Sequence, residues 1–193
     1  MILRLALLCS IFTWLGVTSV LADYRRSDSV VDFALIYPIV SVKPPATKRQ
    51  QTTVGVSFVY SFYLNSYLGL SFIPTAWFFP LRITNSSGVS KEMLYSLSAE
   101  FGPTLRLWYP TYLNPTFTLA SGVTSMDAGK STAQTFSYPM SAKASLDLWK
   151  SGDPYSDPSL ALTLIGSYSY LFQSNPIIDE SISYVGLSFR GSF

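Results

Sequence analysis

The sequence contains no histidine, a single cysteine and few charged residues, and each shortage excludes a class of function. Without histidine there is no Ser–His catalytic pair and no imidazole to bind a metal. The lone Cys9 supports neither a disulfide nor a cysteine-based metal site. Carboxylate catalysis needs two acids close together on one face, and the sequence offers no such pair. We therefore expect a protein that is not an enzyme and that uses no metal or other cofactor.

The low charge also limits the partners of the chain. Charged residues make up 12% of the sequence, against about 25% in an ordinary soluble protein. The net charge is +2 and there is no basic stripe, which argues against nucleic acid as a partner. Aromatic residues reach 16%, and most apolar residues are interspersed with Ser, Thr and Gly. This composition is typical of a protein that shows apolar side chains to lipid and small polar ones to its interior.

The first long apolar run lies at the start of the chain. Residues 1–22 carry one charge, Arg4, followed by an uncharged stretch and an acceptable cleavage site at Ala22 before Asp23. This order predicts a secretory signal peptide and a mature domain of residues 23–193. The alternative is an uncleaved transmembrane helix, which the short run and its weak flanking charge disfavour.

From residue 30 onward, apolar residues alternate with small polar ones. In residues 52–63, for example, Val54, Val56 and Phe58 share one face while Ser57 lies on the other. A period of two indicates β-strands with one apolar face. We predict eight strands, over residues 30–42, 52–63, 67–79, 93–109, 113–126, 138–149, 159–172 and 181–193. Each is long enough to cross a bilayer at a tilt, which takes about 9–11 residues.

Two features complicate this assignment. Pro38 lies inside the first predicted strand and has no N–H to donate to a ladder, so this strand is the least regular. The stretch between Arg49 and Arg82 carries no charge, and a hydropathy window alone would favour transmembrane helices there. The regular alternation, together with Pro74 and Pro80, favours strands instead.

Eight such strands joined alternately by short turns and polar loops predict one all-β domain, a transmembrane antiparallel up-and-down barrel. With both termini in the periplasm, the loops at residues 43–50, 82–91, 127–137 and 173–180 would face the outside. Two aromatic girdles are expected. The predicted outer girdle comprises Trp77, Phe78, Phe79, Tyr138, Tyr168, Tyr170 and Phe172, and the inner one Phe62, Tyr63, Tyr67, Trp108, Tyr109, Tyr112, Trp149, Phe189 and Phe193.

The last predicted strand carries the most specific signal. Its apolar face presents Val185, Leu187, Phe189 and, at the final position, Phe193. The chain thus resembles the small eight-stranded outer-membrane barrels of Gram-negative bacteria, such as the membrane domain of OmpA and the OmpX-like and OmpW-like proteins. It departs from their pattern at Gly191, where these proteins usually carry a bulkier apolar residue. The resemblance implies an outer-membrane location, contact with outer-membrane lipid, and recognition of these four residues by the barrel-assembly machinery. It does not assign a subfamily.

Charged residues within the predicted strands lie mostly on the polar face. The interior of an eight-stranded barrel is just wide enough to be filled by side chains, and charges buried there must pair. We expect three ion pairs, Glu100 with Lys143, Arg106 with Asp147 and, across the closing seam, Asp32 with Arg190.

Three functions fit this fold. The first is a structural or surface-interaction barrel that acts through its extracellular loops. The second is a narrow porin-like channel for small solutes. The third is a secreted soluble barrel of lipocalin type, which would need apolar side chains inside and charges outside, the reverse of the observed pattern. The sequence names no extracellular ligand.

Overall fold

The computed structural model describes residues 29–43, 46–48, 53–85, 88–107, 113–127, 135–151, 159–172 and 178–192. These residues form ten β-strands: β1 (Ser29–Val42), β2 (Ala46–Lys48), β3 (Val54–Tyr63), β4 (Leu68–Asn85), β5 (Gly88–Arg106), β6 (Thr116–Asp127), β7 (Thr135–Ser137), β8 (Pro139–Lys150), β9 (Ser159–Leu171) and β10 (Ile178–Ser192). No described part of the chain forms a helix long and apolar enough to cross a membrane. The proposed signal peptide lies outside the described residues.

Eight long strands close into a barrel. In order around the wall they are β1, β3, β4, β5, β6, β8, β9 and β10, and β10 pairs with β1 to close the sheet. Every pairing is antiparallel. The short strands β2 and β7 extend the wall by pairing with β4 and β6. The predicted eight-stranded up-and-down barrel is therefore confirmed.

The alternating faces are also confirmed. Apolar residues of one parity point outward from the wall, as shown by Leu35 at 57% exposed, Leu97 at 65% and Phe189 at 71%. Residues of the other parity, such as Ser57 and Thr163, are buried inside. A local period of two thus becomes an apolar outer surface and a separate interior because the sheet closes on itself.

The predicted loop at residues 82–91 is wrong. β4 continues to Asn85 and β5 starts at Gly88, with Arg82 paired to Lys91. The hairpin extends past the apolar part of the wall because backbone pairing does not require apolar side chains, and this segment contains β-branched residues that favour strands.

The other predicted loops are shortened in the same way. β2 lies within the predicted loop at residues 43–50, and β7 occupies the end of the one at residues 127–137. β10 begins at Ile178, inside the predicted loop at residues 173–180. All of these segments lie at the distal end of the barrel, defined here as the end opposite the one at which β1 begins and β10 ends. The latter is called the terminal end.

Proline and glycine shape the wall locally. Pro38 lies within β1 and pairs with Tyr184 of β10, whereas the pairing of β1 with β3 stops at Ile36. A proline has no N–H and can complete a ladder on one side only. β1 is also irregular on its β10 side, where the register shifts between Val40 and Val42. β5 and β6 approach so closely that a Cβ on Gly122 would lie 2.0 Å from the carbonyl oxygen of Ala99.

Candidate functional site

The interior of the barrel is the candidate site, because the strands bring their polar faces together there. Small hydroxyl side chains form a chain of hydrogen bonds across four adjacent strands. The oxygens of Ser61 and Ser71 are 2.6 Å apart, and Ser71 continues the chain to Thr104 and then to Thr118. Short hydroxyl residues allow the walls to approach while their oxygens satisfy one another. The polar faces of these strands are thus joined by hydrogen bonds inside the barrel.

Arg190 is the centre of a buried ion cluster near the terminal end. Its Nε and Nη2 donate to the two carboxylate oxygens of Asp32 at 2.7 and 3.0 Å, a bidentate arrangement. Its Nη1 donates to Oδ1 of Asp147 at 2.7 Å, and Nη2 also donates to Ser145 at 2.8 Å. The structure therefore brings Asp32 and Arg190 together across the closing seam, as the sequence indicated.

The ion-pair partner of Asp147 differs from the predicted one. The sequence suggested Arg106 as its partner, whereas the structure places the carboxylate against Arg190, with Thr163 donating a further hydrogen bond at 2.9 Å. The Arg106 guanidinium instead lies over the ring of Tyr63, with Cζ 3.5 Å from the ring centroid. Position along a strand did not reveal this exchange, because the stagger of the closed barrel decides which side chains meet.

Glu100 and Lys143 form the second polar layer, farther toward the distal end. Lys143 Nζ donates to Glu100 at 3.4 Å and to the Tyr184 hydroxyl at 3.0 Å. Ser141 donates to the second carboxylate oxygen of Glu100. This predicted pair is present, and all six predicted charges face the interior, where Lys143 and Arg190 pair with the three carboxylates.

The distal part of the lumen is apolar, a feature that the sequence analysis did not predict. Nine buried side chains form an apolar plug there: Val40, Trp77, Phe79, Leu81, Leu94, Met126, Leu171, Ile178 and Ile182. Phe79 and Ile178 have no exposed surface. The signal was available in the sequence, because these residues share the parity of the inward-facing hydroxyls on their strands.

The plug also corrects the predicted girdles. Trp77 and Phe79 belong to the plug, and Tyr63 is buried beneath Arg106, so none of the three faces lipid. Other predicted girdle residues are exposed on the outer surface, namely Phe62, Tyr67, Phe78, Tyr138, Trp149, Tyr168, Tyr170, Phe172 and Phe189. Trp108, Tyr109, Tyr112 and Phe193 lie outside the described residues.

Little space remains between the two polar layers. A cavity of about 40 Å³ there is lined by Asp32, Tyr63, Lys143 and Arg190 among others. Such a volume holds about three water molecules. Among the described residues, no group of three His, Cys, Asp or Glu side chains is arranged to hold a metal ion. The geometry is that of an interior cross-linked by hydrogen bonds and closed at its distal end.

The predicted insertion signal lies on the outer wall as far as it is described. Val185, Leu187 and Phe189 are each about half exposed or more on the outer face of β10. Phe193 falls outside the described residues. These side chains occupy the strand that closes the barrel against β1.

The sequence matches no protein-family model and no curated protein. The fold matches solved outer-membrane proteins. OprG from Pseudomonas aeruginosa has a TM-score of 0.59 at 9% identity, over 89% of this chain and 98% of that one. Neisserial surface protein A has a TM-score of 0.54 at 11% identity, over 86% and 97%. The attachment invasion locus protein Ail of Yersinia pestis, solved with the heparin analogue sucrose octasulfate, has a TM-score of 0.53 at 13% identity, over 88% and 100%.

These identities are low, but the matches span nearly the whole of each solved barrel. They agree with the closed antiparallel sheet, the apolar outer face and the side-chain-filled interior described above. The chain therefore has the fold of the small eight-stranded outer-membrane β-barrels.

Proposed function

We propose that the chain is an integral outer-membrane protein that is not an enzyme and has a structural or surface-interaction role. Its distal end would face the outside, and partners would bind the connections there. The observation that carries this proposal is the closed lumen, with two ion-paired layers below and an apolar plug above. A rigid, filled barrel suits the display of surface segments better than it suits transport.

The alternative of a narrow pore requires a continuous polar path. The hydroxyl chain and the ion pairs supply polar groups only in part of the lumen. Beyond Ile182, a solute would meet the plug, in which Phe79, Leu94 and Met126 are each at most 1% exposed. Conduction would need these side chains to leave their positions, so the resting barrel is expected to be closed.

The apolar outer surface favours a membrane barrel over a soluble one. Residues such as Leu119, Leu160 and Phe189 are more than half exposed, on strands around the wall. In water, such an extended apolar surface would drive aggregation, whereas a bilayer covers it. A soluble ligand-binding barrel would also need an internal apolar pocket, and the described distal interior is occupied by the plug.

Three measurements test the proposal. The protein refolded in detergent should migrate differently on gels before and after boiling, and in cells it should fractionate with the outer membrane. In planar bilayers it should give no long-lived single-channel currents. Recovery in buffer without detergent would contradict the membrane location, and steady channel openings would favour the pore.

We also propose that the outer face of β10 is read by the barrel-assembly machinery. Deletion of Phe193 should reduce insertion in cells while leaving detergent refolding of the purified chain intact, because refolding in detergent does not use the assembly machinery. Substitution of Leu119, an exposed apolar residue on β6, by Ala is the control. Normal insertion of the truncated chain would contradict recognition of the C-terminal aromatic residue.

A further inference from the structure

The cavity between the two polar layers, called the central cavity below, has a cationic lining. Its volume is about 40 Å³, and the charged groups that line it are Lys143, Arg190 and Asp32. Both cations are almost fully buried, so salt outside the barrel screens them little. The two oxygens of Asp32 already accept hydrogen bonds from Arg190. The lining therefore carries two cations and one carboxylate that is already paired.

Lys143 has an N–H group to spare. Its ammonium has three N–H groups, and it donates two of them, to Glu100 and to the Tyr184 hydroxyl. That hydroxyl accepts the bond, and its own hydrogen has no acceptor among the described residues. Ser167 is the cross-strand neighbour of both Lys143 and Tyr184, and its buried hydroxyl has no partner in the described part of the chain. Three hydrogens around Lys143 are thus without an acceptor.

Arg190 contributes further donors from the other polar layer. Its guanidinium has five N–H groups, of which four are used, two toward Asp32 and one each toward Asp147 and Ser145. Ser145 also forms one hydrogen bond with Thr116, and the two hydroxyls carry two hydrogens for that single contact. Within the described ranges, one N–H group and one hydroxyl hydrogen beside Arg190 therefore have no acceptor.

The chain of hydroxyl groups in the wall adds one more donor. Its four members, Ser61, Ser71, Thr104 and Thr118, are joined by three contacts. Each hydroxyl has one hydrogen to donate, so one of the four hydrogens has no acceptor within the chain. Ser61, Thr104 and Thr118 line the central cavity. The unused hydrogen is present whichever way the chain of hydrogen bonds runs.

This surplus of donors suits a small anion better than it suits water. A water molecule accepts hydrogen bonds but also brings two hydrogens that need acceptors of their own. A halide accepts from several sides and donates nothing, and hydrogen bonds between charged groups are the stronger ones. The cavity has the volume of about three water molecules, so a halide ion fits inside it.

We propose that the central cavity binds one small monovalent anion, of the size of chloride, between Lys143 and Arg190. The anion accepts hydrogen bonds from both cations and from the hydroxyl groups around them. It links the Glu100–Lys143 pair to the Arg190 cluster and so stabilises the folded barrel. The site uses only the interior and does not depend on what the distal end of the barrel binds.

Urea unfolding of the full chain in phosphatidylcholine vesicles tests the site. The parent should become more stable when chloride replaces isethionate, an organic anion too large for the cavity, at constant ionic strength. A ligand that binds only the folded state raises the ratio of folded to unfolded protein, by about elevenfold at ten times its Kd. Equal stability in the two salts would overturn the site, because it would indicate that the cavity holds water only.

Two pairs of variants locate the effect. Val59→Phe enlarges a side chain of the cavity lining and should abolish the chloride dependence, whereas Val56→Phe, on the outer face of the same strand, should retain it. Glu100→Gln/Lys143→Gln removes a cation from the lining without changing the net charge. It should weaken chloride binding about tenfold, the value of one hydrogen bond to a charged group. Lys91→Gln removes an exposed cation at the distal end and should behave as the parent.

The variants and a direct measurement can each overturn the site. Chloride dependence that survives in the Glu100→Gln/Lys143→Gln variant would assign the effect to charges outside the cavity, and this variant decides alone if Val59→Phe fails to fold. Diffraction from crystals grown in bromide should show an anomalous peak between Lys143 and Arg190. Anomalous peaks confined to the outer surface would overturn the site, because they would identify an adventitious ion only.

Discussion

The two halves of the lumen stabilise the same barrel by opposite means. Toward the terminal end, Arg190 joins carboxylates from β1 and β8, and its own strand closes the sheet. Toward the distal end, Phe79, Leu94 and their apolar neighbours form the plug. Ion pairs are directional and lose their value when one partner is absent, whereas apolar packing tolerates exchange among similar shapes. The charged half is thus suited to specify which strands meet, and the apolar half to seal the barrel.

The largest expected effect comes from removing the shared cation. Arg190→Met leaves Asp32 and Asp147 buried without their common partner, and breaking a buried pair in this way costs about 3–5 kcal/mol. Urea unfolding in lipid vesicles measures the loss. The triple variant Asp32→Asn/Asp147→Asn/Arg190→Met should recover most of it, because no buried charge then remains in the cluster. A single variant as stable as the parent would contradict the specifying role of the charged half.

A second test probes the apolar half. Leu94→Ala should reduce the free energy of unfolding by about 2–5 kcal/mol, because a cavity remains inside the packed plug. Leu97→Ala, three residues along β5 and facing outward, is the control. Lipid chains fill the space at this outer site, so its loss should be smaller. Equal losses at the two positions would indicate that the plug is loosely packed.

A third test concerns the Glu100–Lys143 pair, which lies between the charged and the apolar halves of the lumen. Glu100→Gln should cost about 1–3 kcal/mol of unfolding free energy, since Lys143 loses a charged acceptor but keeps the Tyr184 hydroxyl. The apolar double variant Glu100→Leu/Lys143→Met should be nearly neutral, because both charges leave together. Thermal unfolding monitored on gels compares the three proteins. If the double variant were less stable than Glu100→Gln, the Glu100–Lys143 pair would stabilise the barrel more than an apolar contact in its place.

The smallest effect concerns the contact of Arg106 with the Tyr63 ring. Tyr63→Leu removes the aromatic face and should cost about 0.5–2 kcal/mol of unfolding free energy. Tyr63→Phe keeps the aromatic face and should lose less unfolding free energy than Tyr63→Leu. Urea unfolding again provides the comparison. A large loss in the Phe variant would assign the stabilisation to the hydroxyl group instead.

Much of the fold could be predicted because strand geometry is local. The alternation in residues 52–63 identifies both a strand and its outward face, and β3 confirms it. The extent of β4 and β5 could not be predicted in this way. Past Phe78, the apolar signal ends at Arg82, yet backbone pairing continues to Asn85. Hydropathy marks where a strand leaves lipid, which is a different point from where it ends.

The candidate site was predicted in part for the same reason. Asp32 and Arg190 lie on strands that must be neighbours in any closed barrel, so adjacency alone brought them together. Asp147 lies on β8, and only β9 separates it from Arg190 on β10, so their contact passes over one strand inside the lumen. Such a contact depends on the stagger of β8 and β10 relative to β9.

The sequence by itself determined that the chain forms strands, which face of each strand is apolar, and that most charged groups within the predicted strands lie on the opposite face. These are properties of a period of two and need no knowledge of the partner strands. Only the tertiary structure decided that Asp147 meets Arg190, that Arg106 lies over Tyr63, and that Trp77 and Phe79 fill the distal lumen. The physical reason is closure. Curving the sheet into a narrow barrel sets its stagger and brings distant inward-facing residues into contact, and no local pattern records which of them will meet.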